Sequence, residues 1–118
     1  MESSVFFGQL GLGLLLGLGA LGSALGIGAA GRAAAGAWAK EAKAGKPLNF
    51  SYIILTGMPL SQTIYAFVLM LIGLKGGIID NPEIVAAHGG TFLGIALGGG
   101  LAEFISAWAQ GLIGAAAC

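Results

Sequence analysis

Met58-Pro59-Leu60-Ser61-Gln62-Thr63-Ile64-Tyr65 lies inside an uncharged apolar run from Pro47 to Leu74. That run is long enough to cross a bilayer. In hydrocarbon an amide and hydroxyls cost free energy unless they are paired. Ser61, Gln62 and Tyr65 at that depth therefore call for partners on a neighbouring helix, or for a desolvated ion. Ser61 and Tyr65 are four apart and share a helix face, with Gln62 beside them. Pro59 frees the carbonyl four residues back and weakens the local hydrogen-bond ladder. An unpaired carbonyl next to a hydroxyl and an amide oxygen suits a bare hard cation, which takes oxygen ligands.

Three apolar runs must position these groups. The first extends from Val5 to Ala39, broken only by Arg32, and the second is the Pro47–Leu74 run. The third goes from Ile84 to Cys118, with His88 near its start and Glu103 well inside. The runs predict an all-α membrane protein with a single transmembrane domain over 1–118. Its helices are expected at about 4–44, 47–74 and 84–118. The chain is 57% hydrophobic with ten charged side chains among 118 residues, a composition that excludes an ordinary soluble domain. Net charge is zero and there is no basic stripe, so no nucleic-acid partner is expected. Cys118 has no partner for a disulfide and no metal-ligand spacing. Glu2 stands where a signal peptide would carry basic residues, so the first run is expected to be a mature helix.

Lys40, Lys43 and Lys46 lie between the first two runs, and only Lys75 lies in the second link, with Asp80 and Glu83. The positive-inside rule places the first link in the cytoplasm and the second outside. The cytoplasmic link is either a docking surface for a central stalk or a solvated loop. Trp38 is expected to anchor the membrane boundary, and Arg32 to snorkel toward it. His88 is expected to be an interfacial polar group.

The 23 glycines fall mostly inside the runs. Small residues let helices approach closely in lipid. The first run carries two stripes. One is Gly19, Gly22, Gly26, Ala29, Ala33 and Gly36; the other is Gly13, Gly17, Ala20, Ala24, Gly28, Gly31 and Ala35. Two adjoining small stripes suit a helix wedged between neighbours in a ring. Gly26-Ile27-Gly28-Ala29-Ala30-Gly31 also fits a dinucleotide fingerprint, but neither a strand before it nor a spaced acid after it supports that reading.

Taken together these segments resemble the rotor-ring proteolipid (c or K subunit) of V-type and A-type rotary ATPases and ATP synthases. The first is Gly22-Ser23-Ala24-Leu25-Gly26-Ile27-Gly28 with Gly31-Arg32-Ala33-Ala34-Ala35-Gly36. The second is Pro59-Leu60-Ser61-Gln62 with Tyr65-Ala66-Phe67-Val68. The third is Phe92-Leu93-Gly94, then Ser106, then Ala109-Gln110-Gly111. The resemblance implies a homo-oligomeric ring in a prokaryotic cell membrane, embedded in lipid and working with a stator membrane subunit and central-stalk subunits. It implies a non-catalytic subunit that moves Na+ or H+ during ATP hydrolysis or synthesis, with no catalytic residues and no resident cofactor. It further implies an ion held by the Met58 carbonyl, the Ser61 hydroxyl and the amide oxygens of Gln62 and Gln110, with Tyr65 hydrogen-bonded to an essential carboxylate. Neutral oxygen ligands in this number favour Na+ over H+.

In four-helix relatives that carboxylate comes from a fourth helix, which this sequence does not show. The apolar run breaks off at Cys118 with no polar flank, as in an interrupted sequence. The alternative function is therefore a truncated, non-transporting structural or regulatory membrane protein. A short two-helix proteolipid of the F-type synthases is disfavoured because the second run has no acid and a third run follows. Glu103 is the one acid deep in an apolar run. A charge there costs about 3 kcal/mol or more. It is either an alternative ion carboxylate or a protonated or locally paired group. Counting inward from the second link puts Glu103, not Gln110, level with Gln62, whereas the resemblance pairs Gln62 with Gln110.

Overall fold

The computed structural model describes residues 2–118, and the described residues form three long helices with no strand: α1 (Glu2–Lys43), α2 (Ser51–Ile78) and α3 (Pro82–Ala117). Each is long and apolar enough to cross a membrane. The bundle measures 65 × 17 × 14 Å. α1 and α3 run parallel along almost their whole length. Gly11 of α1 meets Leu93 and Ala96, Gly22 meets Phe104, and Gly26 meets Ala107 and Gly111. α2 runs antiparallel beside both.

Leu15, Leu74, Ile78 and Val85 are buried between the helices, but many other bulky side chains point outward, as they would toward lipid. Ile72 is 80% exposed and Ile113 70%. Small residues point inward, where hydrogen bonds and close packing hold helices together in a solvent as apolar as leucine. One of the two α1 stripes is consumed inside the chain. Gly19, Gly22 and Gly26 are buried against α2 and α3, and the buried line continues as Ala30 and Ala34, not Ala29 and Ala33. The other stripe is open at its start, where nothing approaches Gly13 or Gly17, but Gly31 further along it meets Thr56 of α2. On α3, Gly90, Gly94 and Gly98 are likewise open, while Gly100, Gly111 and Gly114 are packed.

The turn between α1 and α2 is closely specified. Gly45 takes φ 70°, the left-handed geometry that ends a helix. Its N–H reaches the Ala42 carbonyl, and the Lys46 N–H reaches back to the Glu41 carbonyl, closing a Schellman motif. The Glu41 carboxylate then accepts hydrogen bonds from the Asn49 N–H at 2.9 Å and the Tyr52 hydroxyl at 3.0 Å. The Trp38 indole donates to the Asn49 carbonyl at 2.8 Å. This clasp occupies Pro47–Phe50, so α2 begins at Ser51 and not at Pro47 as the apolar run predicts. Glu41 is thus an internal clasp residue, while Lys40, Lys43 and Lys46 are exposed. Arg32 is exposed too.

At the other end α2 continues past Leu74 to Ile78. α3 starts at Pro82, two residues before the predicted Ile84, because Asn81-Pro82 supplies the entry: proline is favoured at a first helical position. His88 departs from helical geometry (φ −130°, ψ 24°) and marks a kink. There the Gly89 N–H turns to the Ser4 hydroxyl at 2.8 Å, and that hydroxyl donates to the Val85 carbonyl at 2.8 Å. His88 is exposed, and its place in the fold is this kink.

Candidate functional site

α2 is not a regular helix where its polar residues sit. Met58–Leu60 tightens into a 3₁₀ turn around Pro59, and the Ser61 N–H bonds the Met58 carbonyl. The carbonyl four residues before Pro59 is that of Leu55. It faces Gly114 of α3, where a side chain would have no room. The carbonyl freed by proline therefore does not point at the hydroxyl and amide, contrary to the expectation from spacing. The oxygen that does is that of Met58, brought round by the 3₁₀ turn.

The Ser61 hydroxyl lies 3.0 Å from the Met58 carbonyl and 3.0 Å from Gln62 Oε1. One hydroxyl proton cannot serve both acceptors at full strength. Gln62 is buried at 6% exposure, and its Nε2 donates to Gln110 Oε1 at 2.9 Å and to Ser106 Oγ at 3.1 Å. Five oxygens (Met58 O, Ser61 Oγ, Gln62 Oε1, Ser106 Oγ and Gln110 Oε1) thus gather across α2 and α3 without a formal charge. Oxygen donors of this kind suit a hard monovalent cation. The set lacks a negative group to neutralise it.

The depth count from the second link fails for a geometric reason. Gly77 meets Phe92, and Leu69 meets Gly99, so Leu74 lies between those levels and not beside Gly89. α3 stands further out than α2, and Ser106 becomes level with Gln62. Gln110 is one turn further in, within reach of the amide. Glu103 is one turn further out. Its carboxylate makes no hydrogen bond or ion pair among the described residues, and it is partly exposed. Tyr65 is 58% exposed on the outer side of α2, and its hydroxyl has no partner among the described residues.

Ser106 enters as a contact residue that sequence reasoning did not single out for the site. Its spacing of four from Gln110 places it on the same helical face and could have flagged it. Ser23 of α1 and Thr63 of α2 make a second polar contact beside the first. Thr63 Oγ1 lies 2.6 Å from Ser23 Oγ, which lies 2.6 Å from the Pro59 carbonyl.

No curated protein and no solved structure gave a match. The family of the ATP synthase C subunit matches residues 10–73. That span covers most of α1, the clasped turn and α2 to Gly73, and so contains Ser23, Met58, Ser61, Gln62 and Tyr65. Ser106, Gln110 and Glu103 on α3 fall outside it. The match takes in more than half of the chain, and three apolar helices accompany it. The chain is an integral membrane protein and belongs to the ATP synthase C-subunit family.

Proposed function

We propose that this chain is a rotor-ring subunit of a V/A-type ATPase or ATP synthase, and that the oxygens of Met58, Ser61, Gln62 and Gln110 hold the transported ion. The observation that carries this reading is the Gln62 bridge: one buried amide joins α2 to α3 at 2.9 Å and 3.1 Å while its oxygen faces Ser61. Such a cluster is costly in hydrocarbon unless it is satisfied, and intramembrane polar groups mark ion pathways. The ion is Na+, because a proton needs only a carboxylate and one partner, whereas Na+ needs several oxygens to replace its water shell.

The neutralising carboxylate comes from an element outside these three helices and is held by the exposed Tyr65 hydroxyl. When neutralised, the site can face lipid. When it loses its ion, the charge cannot enter the lipid, so the ring turns only as sites load and unload at a stator. The clasped turn faces the cytoplasm, where the central stalk would meet it.

Glu103 is the second candidate for the charge, because its unpartnered carboxylate stands one turn from Ser106 on α3. Carbodiimide labelling of the assembled ring tests both. Na+ should slow the modification, and Gln62→Leu should weaken that protection by about tenfold, slightly more than a typical single hydrogen bond contributes. Labelling that follows pH and ignores Na+ would leave a proton site. Labelling abolished by Glu103→Gln would assign the carboxylate to α3.

A further inference from the structure

We infer that Ser23 and Thr63 are positioning residues for the ion site, forming a hydroxyl relay that restrains the direction of the Met58 carbonyl. The inference rests on the proposed function above and deepens it. Gln62 and Thr63 are adjacent, so their side chains diverge by about 100° around the helix. Gln62 turns to α3 and Thr63 to α1. Thr63 Oγ1 stands 2.6 Å from Ser23 Oγ and 3.3 Å from the Gly19 carbonyl. Ser23 is 3% exposed, and its Oγ lies 2.6 Å from the Pro59 carbonyl.

Proton counting fixes the direction of this relay. A carbonyl cannot donate, so the 2.6 Å contact at Pro59 uses the single Ser23 proton. The contact between the hydroxyls must then be donated by Thr63. Thr63 commits Ser23, and Ser23 holds Pro59. Proline gives this pin its leverage. Its ring locks φ near −65°. The Met58 carbonyl belongs to the peptide group on one side of Pro59, and the Pro59 carbonyl to the group on the other. With φ locked, only the Pro59 ψ separates the two orientations. Holding the Pro59 carbonyl from the α1 side therefore leaves one torsion to the Met58 carbonyl, and the 3₁₀ bond from the Ser61 N–H to that carbonyl restrains it from the other side. The Met58 carbonyl is the backbone ligand of the site, and Ser61 is presented by the same turn. Without the relay, the turn can relax and the ligand oxygens spread.

A purely structural role would lower ring yield or thermal stability and leave ion affinity alone. The test therefore reads affinity in the assembled complex. ATP-driven pumping into inverted vesicles is titrated with Na+ at fixed pH, and with protons in the absence of Na+. In the natural chain one of these titrations gives a half-saturation point, and Gln62→Leu moves it. Thr63→Val and Ser23→Ala should each raise the half-saturating ion concentration by about fivefold, the scale of one net hydrogen bond, with less effect on the maximal rate. Thr63→Ser keeps the hydroxyl and should restore the natural value. A half-point that moves with Gln62→Leu but stays fixed in Thr63→Val and Ser23→Ala overturns the positioning role while the site stands. A half-point indifferent to Gln62→Leu overturns the ion site itself, and the positioning role with it.

Discussion

Gln62 is the residue through which α2 donates hydrogen bonds to α3 in the middle of the bundle. Its two Nε2 protons go to two acceptors of unequal consequence. Ser106→Ala removes one acceptor and leaves Gln110 to hold the amide. Gln110→Leu removes an acceptor and, with it, one of the oxygens proposed to hold the ion. Ser106→Ala should weaken Na+ protection of the ring carboxylate by about twofold, and Gln110→Leu by about tenfold, taking a net hydrogen bond as the unit. Equal effects in a labelling series would show that the amide, and not the oxygen count, governs affinity. The Gln62 and Ser61 cluster was legible in the sequence because polar side chains in an apolar run stand out. Its α3 partners were harder to place. Counting residues from a loop assumes that helices start at one level, and α3 starts further out. Thr63 and Ser23 were illegible for another reason. Either hydroxyl can satisfy itself on its own helix backbone, so nothing in their spacing compels a contact across helices.

The helices show which glycines belong to which interface. The sequence reveals two small stripes on α1 but not which one faces inward, since both have helical spacing. The structure puts Gly26 against α3 and Pro59; a Cβ there would lie 2.9 Å from the Pro59 Cβ and closer still to the Ala107 carbonyl. Gly26→Leu is therefore a change to the fold of one chain, not to the contact between copies. Gly26→Leu and Gly111→Ala should lower the stability of the detergent-solubilised chain by about 1–3 kcal/mol, as overpacking does. Gly17 has nothing within 4 Å. Gly17→Leu should leave the thermal midpoint of the single chain unchanged and reduce the yield of ring on native gels or by native mass spectrometry. A ring unaffected by Gly17→Leu would remove the open stripe from the interface between copies. The element ends were the least legible feature. Pro47 looked like a start, yet the Glu41 and Trp38 bonds to Asn49 delay α2 to Ser51.

At the scale of the molecule, a 65 Å bundle with a clasped turn at one end must be oriented in the membrane. With Cys118 replaced, a cysteine at Ala42 should react with an impermeant thiol reagent in inverted vesicles and not in intact cells. Labelling from outside would reverse the orientation proposed above. The clasp also has a mechanical consequence. Glu41, Asn49, Tyr52 and Trp38 tie the end of α1 to the beginning of α2 through three hydrogen bonds and a pair of rings 6.0 Å apart. A torsional load applied at the exposed lysines therefore meets a stiff corner rather than a slack loop. It passes into two helices at once, with little elastic energy lost in the turn. Loosening that corner would make the ring a softer spring in series with whatever it drives, so that each step of rotation arrives late and blurred even though every ion site remains intact.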